Sequence, residues 1–115
     1  MNGFVVLWAR AFALTLAVEL PIGAALLRPL GSLPRRTSLV FLANLASHPA
    51  VWFVFPELGL SPRAWLVLAE LWAVAIEAFA YASQGRGAID VRRALLTAIV
   101  ANAASLALGL ALHAI

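Results

Sequence analysis

The chain is 115 residues long, 64% hydrophobic and only 11% charged, with a formal net charge of +3. A water-soluble domain carries about a quarter of its residues charged, so this composition excludes an ordinary water-facing surface and places the chain in the membrane class. It has no cysteine, which excludes a disulfide frame, a thiolate metal site and a cysteine nucleophile.

Four apolar segments predict an all-α polytopic membrane protein forming one domain over 1–115, each segment near the ~20 residues that span a hydrocarbon core. The first covers 4–27. It is too long, too lightly charged at its start and too acidic within, through Glu19, to read as a cleaved signal peptide, and we expect it to be a retained helix. "LRPLGSLPRR" interrupts the chain with two prolines, a glycine and three arginines. The second helix is expected over 37–55, stopped by Pro56. Ser61 followed by Pro62 is an N-cap and first-position pair that starts the third helix, 62–83. "QGRGAID" then turns the chain, and Asp90 is positioned to cap a fourth helix over 91–114.

All eight basic residues are arginine. Six of them, Arg28, Arg35, Arg36, Arg86, Arg92 and Arg93, fall in or beside the first and third loops. The positive-inside rule therefore puts those loops in the cytoplasm and both termini outside a bacterial inner membrane. The pI of about 11.2 comes from these arginines, and no nucleic-acid partner is expected. Trp8, Trp52 and Trp65 fall in the outer half, Trp8 and Trp65 near the interface. Arg10, two turns into the first helix, reaches outward or pairs with an acid.

The third helix contains "AELWAVAIEAFAY", two glutamates in an otherwise apolar run. A charged side chain at mid-bilayer costs roughly 2.5–3.5 kcal/mol, so Glu19, Glu70 and Glu77 must face the bundle. Glu70 and Glu77 are seven residues apart, hence on one helical face and about 10 Å apart along the axis. Counting depth from each helix start yields two tiers: His48, Glu70 and Asn102 near the middle, with Ser105 above, and Glu19, Asn44 and Glu77 nearer the cytoplasm, with Tyr81 below. Asn44 and His48 share a face at i, i+4. Pro21 and Pro49 each free a carbonyl one turn back, and such interruptions are tolerated where they face protein or a water-filled cavity.

The pattern "VELP", "NLASHPAVW", "AELWAVAIEAFAY" and "NAASLALG" resembles a set of small bacterial four-helix membrane proteins to which no activity is attached. In length and helix number the chain is also similar to small multidrug-resistance transporters, which carry an essential glutamate in helix 1; Glu19 is the matching position. Glu70, Glu77, His48 and the prolines depart from that family.

Three functions are compatible with this set. The first is binding or conducting a small cation, either protons or a divalent metal, with Glu19, His48, Glu70 and Glu77 as ligands or relay groups. Oxygen-rich ligation with one imidazole suits Mn, Fe or Zn. The second is an intramembrane hydrolase with Glu70 or Glu77 as base and His48 and Asn102 polarising the substrate. Other enzyme templates fail, because Ser47 and the adjacent His48 point about 100° apart and cannot form a nucleophile–base pair. The third is an accessory subunit whose carboxyls, with Asn44, Asn102 and Ser105, are interhelical glue. Besides the lipid bilayer, a homo-oligomer or a larger membrane complex is expected, since four short helices hardly enclose a full path.

Overall fold

The computed structural model describes residues 2–113. Among them the chain forms four helices and no strand: α1 (Gly3–Leu26), α2 (Leu33–Phe53), α3 (Pro62–Gln84) and α4 (Val91–His113). Short 3-10 turns, Arg28–Leu30 and Phe55–Leu58, follow α1 and α2. Three helices, Gly3–Leu26, Pro62–Gln84 and Val91–Leu112, are long and apolar enough to cross a membrane. α2 matches them in length at 21 residues but falls short in hydropathy, because it carries Asn44, Ser47, His48 and Pro49.

Polar side chains set the helix starts. The hydroxyl of Ser61 accepts from the Ala64 amide at 3.2 Å, and Asp90 accepts from Arg93 N at 2.7 Å. Replacing Ser61 with alanine removes one acceptor from an otherwise unpartnered amide, a loss of about 1 kcal/mol. A lowered thermal midpoint in detergent is the expected result; an unchanged midpoint would show that Pro62 alone holds this start.

The second helix departs from the sequence expectation. It begins at Leu33, not at 37, because Ser32 caps it through Arg35 N at 3.3 Å and Pro34 occupies its first turn. It ends at Phe53, and Pro56 lies in the following 3-10 turn. Both α1 and α2 continue through their internal prolines, Pro21 and Pro49.

The helices form a ring: α1 packs on α2 and α4, and α3 packs on the same two neighbours, while the diagonal pairs lack comparable contact. At the arginine end the ring is closed by a buried apolar layer including Leu27, Leu30, Val40, Tyr81, Ile89 and Ala98. Arginines fasten this end. Arg93 Nε donates to Leu26 O at 2.6 Å, Arg35 to Leu30 O at 3.2 Å, and Arg36 to Ala24 O. These are carbonyls at and just beyond the end of α1, which lack intrahelical partners. A smaller apolar cluster of Val51, Phe55 and Ala69 lies toward the opposite end. The polar residues occupy the level between the two.

Candidate functional site

Two carboxyl groups lie at the centre of the ring. Glu19 of α1 and Glu77 of α3 are both 0% exposed, and their side chains are within hydrogen-bonding reach of each other across the ring's diagonal. Their donors are neutral. Glu19 Oε2 accepts from Ser105 Oγ at 2.9 Å, and Glu77 Oε2 accepts from Asn102 Nδ2 at 3.1 Å and from Ser47 Oγ at 3.5 Å.

The hydroxyl donors are shared, because each carries one proton. Ser47 Oγ also reaches Asn44 O at 3.3 Å, and Ser105 Oγ reaches Asn102 O at 3.1 Å. The firm donor to Glu77 is therefore the Asn102 amide, whose nitrogen also donates to Ala98 O at 2.8 Å. Asn44, 1% exposed, donates to Val40 O at 2.9 Å and adjoins Glu19. Among the described residues three buried polar side-chain atoms have no hydrogen-bond partner: Glu19 Oε1, Glu77 Oε1 and the Tyr81 hydroxyl. Tyr81 is beside Glu77, on the side of the closed apolar layer.

A cavity of about 300 Å³ leads to Glu77, with walls drawn from all four helices. Its inner lining, Asn44, Ser47, Glu77 and Asn102, is buried, whereas at the far end Trp52, Trp65 and Gly109 are half-buried and Leu110 is exposed. The cavity thus opens toward the start of α3 and ends at the buried Glu77. Glu70, half-buried one face-repeat above Glu77, lines its wall.

His48 also lines the cavity, but its ring is engaged by α1. Nδ1 accepts from the Trp8 indole at 3.0 Å, and the Phe12 ring centroid is 5.3 Å away. An Nδ1 that accepts is unprotonated, which fixes the Nε2–H form of a neutral imidazole. Among the described residues no three His, Asp or Glu side chains come together as a metal site requires. The expected ligand set of Glu19, His48, Glu70 and Glu77 is thus not assembled.

The two expected tiers are redrawn. Asn102 and Ser105, expected at and above the middle, come to the carboxyls, where Asn102 donates to Glu77 and Ser105 to Glu19. Asn44 adjoins Glu19, and His48 is held by the α1 aromatics. With its amide donating to Glu77 and Ala98, Asn102 is not free to polarise a substrate alongside His48.

Ser47 was not among the expected site residues. The signal for it was present, since Ser47 stands at i+3 from Asn44 and shares its face. The indoles hold more than an interface. Trp72 Nε1 donates to Ser47 O at 3.0 Å and Trp65 Nε1 to Val51 O at 3.3 Å, tying α3 to α2 on either side of Pro49. Arg10 is exposed on α1, and nothing in the structure explains it.

No protein-family model matches the chain, and neither a curated protein nor a solved structure does so. The site's own geometry therefore carries the functional reading.

Proposed function

We propose that this protein spans the bacterial inner membrane with four helices and binds or conducts a small cation in exchange for protons at the Glu19–Glu77 pair. In this reading loops 1 and 3 are cytoplasmic, both termini are outside, and the blind cavity faces outward. The observation that supports it best is the pair of adjoining, fully buried carboxyls whose remaining donors are all neutral. Two such groups resist ionising together. A proton held between them provides a donor where the side-chain hydrogen bonds leave one oxygen of each orphaned. A cation arriving through the cavity supplies the charge that releases this proton, and when the cation leaves, a proton binds again. Glu70, in the cavity wall, favours the entry of positive charge. Protons or a monovalent ion suit this arrangement better than Mn, Fe or Zn, because the imidazole and the three carboxyls do not converge. A second copy or a larger complex would complete a path past the closed arginine end.

The test uses the full-length protein in liposomes loaded with a pH-sensitive dye. Sodium, potassium or manganese gradients are imposed in turn. At least one is expected to drive proton movement, and Glu77→Gln, which keeps shape and most hydrogen-bonding capacity, is expected to lower the rate at least about tenfold, the equivalent of roughly 1.4 kcal/mol. Silence of the wild type toward every cation, or full activity in Glu77→Gln, overturns the reading.

A further inference from the structure

A second and larger cavity lies elsewhere. About 690 Å³ lies open at the arginine end, between the end of α1 and the start of α4, lined by Leu26, Pro29, Gly87, Asp90, Arg92 and Leu96 among others. Two features define its chemistry, a basic rim and an apolar floor.

The rim divides the arginines of this end into two sets. Arg35, Arg36 and Arg93 are committed to backbone carbonyls near the end of α1. Arg28, Arg86 and Arg92 are exposed. Arg92 lines the cavity itself, and Arg28 and Arg86 directly precede its lining residues Pro29 and Gly87. Against them stands one carboxylate in the wall, Asp90, and its Oδ1 already caps α4 through Arg93 N. One exposed guanidinium, that of Arg92, thus lines the cavity, the exposed Arg28 and Arg86 adjoin its lining along the chain, and the one carboxylate in the wall is committed.

The floor is the seam between α1 and α4. Leu26 and Leu96 line it, and Leu96 is 54% exposed. The exposed side chains of Ile99 and Val100 continue up α4. Both bounding helices are long and apolar enough to cross a membrane, so their shared end stands at the level of lipid headgroups. An occupant of this cavity must carry negative charge at the rim and hydrocarbon along the seam.

We infer that this cavity is a binding site for an anionic phospholipid, with the phosphate among Arg28, Arg86 and Arg92 and an acyl chain along the α1–α4 seam past Leu26 and Leu96. The site is separate from the carboxyl pair and does not depend on what that pair exchanges. Its ligand shares phosphate chemistry with free inorganic phosphate, but the apolar seam distinguishes the two.

The experiment takes the full-length protein, stripped of lipid in detergent, and counts bound phosphatidylglycerol or phosphatidylcholine by native mass spectrometry. Phosphatidylglycerol is expected to be retained at least about fivefold better. The triple variant R28Q/R86Q/R92Q is expected to lose that preference, about fivefold being the equivalent of roughly 1 kcal/mol, what one arginine contributes near a lipid surface. The pair R10Q/R63Q, away from this cavity, is expected to keep it, and Leu96→Trp, which fills the seam without changing charge, is expected to weaken retention of both lipids. Equal binding of the two lipids by the wild type overturns the inference even if the triple variant does not fold. An equal loss in R10Q/R63Q reduces it to net charge and overturns it, as does displacement of the lipid by millimolar inorganic phosphate, which would make the cavity a free-anion site.

Discussion

Gly23→Ala is expected to destabilise the bundle by about 1 kcal/mol, although alanine is the better helix former. A Cβ at Gly23 would run into Val40 Cγ2, well inside van der Waals contact, where α1 and α2 make their close approach. The helix-propensity gain of glycine to alanine is at most about 1 kcal/mol, while overpacking a buried contact costs about 1–3 kcal/mol. Valine cannot swing aside, because its branched Cβ holds one strongly preferred rotamer in a helix. The clash therefore wins. The change Val40→Ala removes both γ carbons and leaves the Cβ, which is 3.4 Å from the new methyl, an ordinary contact. The pair Gly23→Ala/Val40→Ala should recover more stability than the sum of the single changes allows. A double-mutant cycle on thermal midpoints in detergent measures this coupling, expected at about 1–2 kcal/mol. Strict additivity would mean that α1 and α2 part easily at this level.

Asn102→Leu carries the second large effect. Apart from Glu19, Glu77 would keep only the long Ser47 contact at 3.5 Å, a proton that Ser47 shares with Asn44 O at 3.3 Å. A buried acceptor stripped of its donor costs about 1–3 kcal/mol, and the Ala98 carbonyl loses its additional amide donor at the same time. Replacing both partners is a different matter. In Glu77→Leu/Asn102→Leu the buried acceptor is gone along with its donor, and apolar substitutes of similar volume are often neutral or better. The double variant should regain most of the wild-type midpoint, to within about 1 kcal/mol, yet move no protons in liposomes. A stable, silent double variant separates an exchange site from interhelical glue. Proton movement at wild-type rate in that variant would assign the whole polar set to assembly.

The parts of this structure that could be read from sequence were those governed by large energies or by local geometry. Glu19 and Glu77 had to turn inward because leaving either charge in lipid is expensive, and both are fully buried. Ser61–Pro62 and Asp90 placed their helix starts because capping is a matter of a few neighbouring residues. Ser32 and Pro34 carried the same signal, but the adjacent Arg35 and Arg36 suggested a loop, whereas the helix absorbs them and uses their side chains on the 3-10 turn and on α1. The helix therefore starts one turn earlier than expected.

What lay beyond the sequence was the partner of each side chain across the ring, which depends on helix rotation. Ser47 and Ser105 both bond a carbonyl three residues back, as helical serines commonly do, so nothing local reveals that they also reach a glutamate. Trp8 and Trp65 fit an interfacial role equally well by composition, and their indole contacts with His48 and Val51 O follow from packing alone.

Helices joined edge to edge, with slack diagonals, behave like a four-bar linkage: the sides keep their lengths while the frame shears from square to rhombus. Glu19 and Glu77 occupy opposite corners of that frame, on α1 and α3. The separation of the two carboxyls is then its softest coordinate, adjustable without prising any neighbouring helices apart. The firmest brace at this level is α4, which reaches both corners through Ser105 and Asn102, with α2 beside it through Asn44 and the longer Ser47 contact. Lengthening or shortening that brace sets how far the frame leans.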